Sequence, residues 1–340
     1  MEQEIKACIY GATGYTGAEL LRILQKHPHV KITALTSQSY AGKRLSEVFP
    51  FFEATPLGSM YLTEEPEEDF EFAFLCLPHE ASLHLVPGLL QKGKRVIDLS
   101  GAYRISKPEM YPEYYGFEHA YPELLKRAVY GLPELFRERI KNSDFVANPG
   151  CYPTATLLAI YPLLREGIEI EDIIVDALSG VSGAGRKTAQ HFHFPEMEGN
   201  AFAYSVARHR HTPEMEDVIQ RLSGKSVKVR FTPQVIPLSR GMMVKVYVRA
   251  EERDYMEIYK KAYGGEPFVI VLDKPPHIKQ ALGTNYCYLY LHYDKRLKLL
   301  TVISVIDNLG KGASSQAVQN MNLMSGFEES TALKDTALYP

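Results

Sequence analysis

The sequence predicts an α/β protein: a Rossmann-like doubly wound parallel sheet, joined to an α+β catalytic and oligomerisation domain built on a mixed sheet. Three observations carry this. Strand and helix patterns alternate through the first hundred residues. A glycine loop stands between the first strand and the first helix. After residue 151 the strands outnumber the helices. Alternation implies right-handed crossovers and a parallel sheet, whereas runs of strands imply mixed or antiparallel pairing.

Ile5 to Tyr10 reads as a buried strand, and Ala18 to Leu24 carries helical spacing after the glycine loop. Val30 to Thr36, Phe72 to Leu77 and Val96 to Leu99 are further strands, with a helical stretch from His79 to Leu90 before the last of them. The run from Thr63 to Glu71 holds six carboxylates in nine residues and is a solvated loop or edge. Beyond residue 151 the strand-like runs are 173–178, 226–231, 242–248, 268–272, 286–293 and 299–306, with helical spacing at Glu214 to Leu222 and Tyr255 to Tyr263. A final helix, Ser314 to Met324, is expected to pack back on the first domain. The expected division is therefore 1–150 plus 307–340 for the dinucleotide-binding domain, and 151–306 for the catalytic and oligomerisation domain.

A chain of 340 residues with 45% hydrophobic and 23% charged residues is ordinary for a soluble globular protein. Its net charge of −3 offers no general attraction to nucleic acid or anionic membranes. No apolar stretch reaches the ~20 residues that a membrane span needs. The acidic start, Met1-Glu2-Gln3-Glu4, does not read as a secretory signal. Cys8, Cys76, Cys151 and Cys287 show no CxxC spacing, so a reduced, cytoplasmic protein is expected.

The loop Gly11-Ala12-Thr13-Gly14-Tyr15-Thr16-Gly17 follows a strand and opens a helix, the context in which glycines let backbone approach a pyrophosphate at a helix N-terminus. NAD enzymes place an Asp or Glu at the end of the second strand for the ribose 2′-hydroxyl. Residues 35–44 contain none; Ser37, Ser39, Lys43 and Arg44 instead suit a 2′-phosphate. NADP(H) is the expected cofactor.

Cys151 sits in Asn148-Pro149-Gly150-Cys151-Tyr152-Pro153-Thr154-Ala155-Thr156, ahead of an apolar run. Asn-Pro-Gly is a tight turn and Pro153 suits the first turn of a helix. The thiol would stand at a helix N-terminus, where backbone N–H groups and the macrodipole favour the nucleophilic thiolate. Three further clusters carry chemistry. Asp98-Leu99-Ser100-Gly101-Ala102-Tyr103-Arg104 ends a parallel strand with a guanidinium able to fork onto a phosphate. Residues 178–187 form a second glycine-rich loop ending in Arg186 and Lys187. In Arg208-His209-Arg210-His211-Thr212-Pro213-Glu214 a histidine at a helix start can act as acid or base with Glu214 to orient it; Thr212 reads as the N-cap and Pro213 as the first helical residue. A four-histidine metal site from His191, His193, His209 and His211 is not expected, because no supporting ligand pattern accompanies them.

Together these boxes resemble the N-acetyl-γ-glutamyl-phosphate reductase family of the aspartate-semialdehyde dehydrogenase-like superfamily. The resemblance runs nearly end to end: GATGYTGAELLRIL, LPH, DLSGAYR, NPGCYPTAT, SGVSGAGRK, HRHTPE and DNLGKGASSQAVQN, in that order. It implies that Cys151 attacks an acyl phosphate to give a thioester, which is then reduced by NADPH to a semialdehyde in arginine biosynthesis. It also implies that His211, or His209 two residues away, is the acid/base. By the same resemblance Leu77, Pro78, Ser182, Gly183 and Asn308 join the cofactor site, Arg104, Arg186, Lys187, His209 and Glu214 the substrate site, and the active site draws on both domains. The implied partner is a small acyl phosphate, and the implied assembly a homo-oligomer, dimer or tetramer. The rival readings are a paralogue acting on aspartyl phosphate or on a carrier-linked aminoadipyl phosphate, and a dinucleotide-sensing protein without catalysis.

Overall fold

A computed structural model describes residues 4–338. The chain divides into two compact units. One takes in the chain up to Arg104, Ala120–Asn148 and Ser314–Leu333; the other comprises Ile105–His119, Pro149–Ala313 and the chain from Lys334.

The first unit is built on six parallel strands: β1 (Ile5–Tyr10), β2 (Val30–Thr36), β3 (Phe72–Leu75), β4 (Arg95–Asp98), β5 (Val129–Tyr130) and β6 (Phe145–Ala147). Their order is β2-β1-β3-β4-β6-β5. The order reverses between β1 and β3, and open α/β sheets bind ligands at the carboxyl ends of strands where such a reversal occurs. β1 is buried at every residue but Lys6, and β3 at all four of its residues, the continuous apolar character of strands covered on both faces. Helices α1 (Tyr15–Leu24), α2 (His79–Gln91) and α3 (Pro133–Lys141) belong to this unit. The closing helix, Ser315–Ser325, packs on α1 and α3, as the sequence predicts. β5 and β6, with two and three residues, are too short for a periodicity to reveal and were not anticipated.

The second unit carries seven strands: β7 (Asp172–Gly180), β8 (Phe202–Ala203), β9 (Lys228–Ile236), β10 (Met242–Arg249), β11 (Val269–Leu272), β12 (Cys287–Asp294) and β13 (Leu299–Ile306). The order is β11-β12-β13-β10-β7-β9-β8, with parallel pairs β7/β9 and β11/β12 among antiparallel neighbours. β10 alternates buried and half-buried residues until its last, the pattern of a sheet with one face on a core. That core is filled by α4 (Cys151–Arg165), whose residues from Tyr152 to Ile160 are all buried, and by α5 (His211–Ser223) and α6 (Tyr255–Tyr263).

α4 contains Pro162, which has no N–H to give the Leu158 carbonyl one turn back. The Tyr263 hydroxyl donates to that carbonyl at 2.5 Å, and the Tyr259 hydroxyl donates to the Ala159 carbonyl beside it. The helix therefore carries a proline in its interior without an orphaned buried acceptor.

Candidate active site

α4 begins at Cys151 itself, with Gly150 in an extended conformation as its N-cap. The first turn is closed by the Gly150 carbonyl, which accepts from both the Thr154 N–H and the Thr154 hydroxyl at 2.9 Å. Pro153 falls in that first turn, where its missing N–H costs nothing. The Gly150 N–H is not left to solvent: it donates to Glu214 Oε1 at 2.8 Å. Gly150 has to be glycine, because a Cβ there would lie 2.5 Å from His211 Nε2. The imidazole of His211 thus packs directly on the residue preceding the thiol. Gly312 closes the other side, since a Cβ on it would lie 2.8 Å from the Cys151 Cβ.

α5 starts at His211, one residue before the expected cap. Thr212 is not the N-cap and Pro213 is not the first helical residue. The reason is His209: its Nδ1 accepts the His211 N–H at 3.1 Å, doing from two residues upstream what a threonine cap would do. His209 is buried, and burial, then the Arg210 charge, lowers its pKa to about 4. Near neutral pH it is therefore a neutral acceptor. Glu214 points its carboxylate at Gly150.

A cavity of about 360 Å³ opens over these groups. Cys151, Tyr152, His209 and His211 line it, with Ser179 and Gly180 from the end of β7, Gly183 and Ala184 from the turn after it, Tyr204 and Ser205 from the segment after β8, and Arg208 and Arg210. The Tyr204 and Tyr152 hydroxyls lie 3.3 Å apart. The remaining cysteines have other settings. Cys8 and Cys287 are buried in β1 and β12, and burial pushes the Cys76 thiol up to about 12.

Asn308 is buried, and its amide is held at both ends: Oδ1 accepts the Gly241 N–H at 2.7 Å and Nδ2 donates to the Ser182 hydroxyl at 2.9 Å. It thereby ties the loop of Ser182 and Gly183 to the start of β10. Asp307 fixes the loop that follows β13, accepting from the N–H groups of Leu309, Gly310 and Gly283 and pairing with Arg240 at 2.8 Å.

In the first unit, the glycine loop fits a dinucleotide on structural grounds. Gly11 has φ +73° and a Cβ on it would lie 2.3 Å from the Cys76 carbonyl oxygen, so β1 and the residue after β3 meet there with no room for a side chain. A Cβ on Gly17 would lie 2.5 Å from the Gly11 carbonyl oxygen. Gly14 caps α1 without any side-chain acceptor, which leaves the helix N-terminus, with Tyr15 and Thr16 in its first turn, to an anion. The Thr13 and Ser37 hydroxyls are 2.9 Å apart, joining the loop to the end of β2. Ser39, Lys43 and Arg44 are exposed beyond it; Lys43 stands over the Tyr40 ring and Arg44 over the Tyr61 ring, each at 5.8 Å. Leu77 and Pro78 lead from β3 into α2, and Pro78 is its N-cap.

Arg104, Arg186 and Lys187 have two different settings. Arg104 is buried, with Nε donating to the Asn148 carbonyl and a terminal nitrogen to the Leu99 carbonyl, each at 2.7 Å. It braces two strand-end loops of the first unit. Arg186 and Lys187 are exposed and are not among the residues lining the cavity. The cations that do line it are Arg210, inside the HRHTPE box, and Arg208, immediately before it. Their alternation with the two histidines was the available signal.

Comparison with known proteins agrees with this architecture. Residues 6–143 match the semialdehyde dehydrogenase NAD-binding domain, and residues 151–308 the semialdehyde dehydrogenase dimerisation domain. The chain is 60% identical over 340 residues to N-acetyl-γ-glutamyl-phosphate reductase of Aquifex aeolicus, covering all of both chains. It is 46% identical over 346 residues to the protein of that name from Pelotomaculum thermopropionicum, covering 99% of each. Among solved structures, aspartate semialdehyde dehydrogenase II of Vibrio cholerae superposes with a TM-score of 0.75 at 21% identity, over 95% of this chain and 99% of that one. The Candida albicans aspartate semialdehyde dehydrogenase with NADP gives 0.70 at 16%, over 95% and 99%. Those two likenesses concern the fold. The full-length identities settle the family: the chain belongs to the N-acetyl-γ-glutamyl-phosphate reductases.

Proposed function

We propose that this chain is an NADP(H)-dependent oxidoreductase that converts N-acetyl-γ-glutamyl phosphate to N-acetylglutamate semialdehyde and phosphate, in arginine biosynthesis in the cytoplasm. The observation that carries the mechanism is the packing of the His211 imidazole on Gly150, directly before Cys151 at the start of α4. A thiol at a helix N-terminus with an imidazole against its cap is the arrangement of an activated cysteine nucleophile.

In this reading the Cys151 thiolate attacks the acyl carbon, the bond to the phosphate oxygen breaks, and inorganic phosphate leaves. The thioester so formed retains the acyl group on Sγ. When bound, the reduced nicotinamide supplies the hydride that the thioester carbonyl takes up. His211 protonates the resulting oxygen, and in the reverse direction takes that proton away. As the hemithioacetal collapses, its hydroxyl proton returns to His211 and the C–S bond breaks, which releases the aldehyde and the thiolate. His209 supports the reaction without transferring a proton, since its Nδ1 is engaged by the His211 N–H and it stays neutral. Glu214 positions the helix start through the Gly150 N–H. Gly11 to Gly17 would hold the pyrophosphate and Ser37, Ser39, Lys43 and Arg44 the 2′-phosphate, with Leu77 and Pro78 at the neighbouring strand end of the same unit.

The sheet of the second unit supports a homo-dimer. Met243, Tyr247, Tyr288, Tyr290 and Ile303 are half-buried on its outward side, an apolar face that a second copy would cover. Elution at the monomer mass across a wide concentration range removes that expectation. The activity is tested in reverse, with N-acetylglutamate semialdehyde, inorganic phosphate and NADP. Phosphate-dependent NADPH formation supports the proposal. Activity with aspartate semialdehyde alone would move the chain to another substrate, and no activity with either would leave the thiol without this role.

A further inference from the structure

We infer that Arg208 and Arg210 are specificity-determining residues that make the cavity selective for N-acylated, wholly anionic substrates over those bearing a free α-ammonium. The inference rests on the acyl-phosphate reading above and adds to it how the α-amino group is sensed.

Charge is the first observation. Among the described residues lining the cavity, Arg208 and Arg210 are cations and none is Asp or Glu. The acid nearest in sequence, Glu214, is fully buried and turned to the Gly150 N–H. An α-ammonium entering here meets two guanidiniums and no counter-charge. An N-acylated substrate carries only a carboxylate and an acyl phosphate, and both can take the planar donor fork of an arginine. Arg210 already makes itself felt electrostatically, as it adds to burial in depressing the basicity of His209.

The second observation is backbone strain. Ser205 has φ +45° and Ala207 φ +58°, two non-glycine residues in the left-handed region within three positions. Ala207 has no polar side chain to favour that conformation. It is held by its N–H to the Phe231 carbonyl at 3.1 Å, while the Arg208 N–H closes onto the Ser205 carbonyl at 3.0 Å. Strain of this kind persists where the surroundings over-determine it, and it clusters at ligand-binding segments. Here it delivers Ser205 and Arg208 to the cavity wall. The third observation is the apolar wall beside them: Phe192, Phe202, Tyr204 and Val235 can seat a neutral acyl group.

The test compares two aldehydes that differ only in acylation, aspartate semialdehyde and its N-acetyl derivative, alongside N-acetylglutamate semialdehyde, each with phosphate and NADP. Wild-type enzyme should prefer the acetylated member of the pair about 100-fold in kcat/KM, the scale on which like-charge juxtaposition acts. Ser205→Asp adds a carboxylate at a position whose backbone suits aspartate, and should narrow that preference about 10-fold or more. Arg208→Gln and Arg210→Gln should each raise KM for N-acetylglutamate semialdehyde about 10-fold with a smaller change in kcat, and Arg208→Lys should recover part of the loss. NADP binding serves as the folding control. An acetylation preference unchanged in all three charge variants that bind NADP overturns the inference while leaving the activity in place. Wild-type inactivity on N-acetylglutamate semialdehyde defeats the reading beneath it and the inference together.

Discussion

His209 and His211 lie two residues apart, and the family resemblance gives the acid/base role to His211 with His209 as the alternative; their surroundings separate them. The His209 ring accepts a backbone N–H and is kept neutral by burial and Arg210. Asparagine offers an acceptor of similar reach, so His209→Asn should retain activity within about 10-fold, whereas His211→Asn should lose about 100-fold or more, the scale of a general acid–base. Steady-state kcat for the two variants at pH 7.5 decides the matter. Linkage gives a second consequence. The folded pKa of His209, about 4, lies below the usual 6.5, so the unfolded chain binds its proton first. The stability present above pH 6.5 is lost as pH falls toward 4, by up to about 3 kcal/mol. Denaturant midpoints measured between pH 7 and 4 should fall less steeply in His209→Asn than in the wild type. Cys151 was legible because turn, cysteine and helix are all written locally. The capping role of His209 was not, because it depends on burial and on a helix beginning two residues earlier than its sequence suggests.

At the scale of elements, α4 shows what composition hides. Pro162 within an apolar run argues for a helix break, and the helix continues because two tyrosines from α6 serve its carbonyls. Tyr263→Phe should therefore destabilise the protein by about 1–3 kcal/mol, the cost of an orphaned buried acceptor, without touching the cavity residues. Urea unfolding with an unchanged m-value would report it; an unchanged midpoint would show that the bond contributes nothing. The long strands were readable from alternation or continuous apolar runs. β5, β6 and β8, each with two or three residues, owe their existence to the neighbours they pair with. Arg104 was readable as a cation at a strand end, but its engagement by the Asn148 and Leu99 carbonyls follows only from the folded loops.

At the scale of the molecule, the strand-loop-helix start and the strand-rich second half were enough to predict a parallel sheet and a mixed sheet, and both are present. The first unit bears the cofactor loop and the second the thiol with its imidazole. NADPH should bind at least about 10-fold tighter than NADH, and the advantage should shrink in a Lys43→Gln, Arg44→Gln double variant, because a phosphate–arginine fork has lost its donor. Fluorescence titration with each nucleotide measures this.

In the proposed mechanism Cys151 carries the acyl group as a thioester between the redox and phosphate steps. Enzyme mixed rapidly with N-acetylglutamate semialdehyde and NADP, without phosphate, tests it most directly. The expected result is a burst of NADPH approaching one per active site, an N-acetylglutamyl adduct mapped by mass spectrometry to Cys151, and release of that adduct when phosphate is added. Turnover that begins only with phosphate and leaves Cys151 unmodified would contradict it.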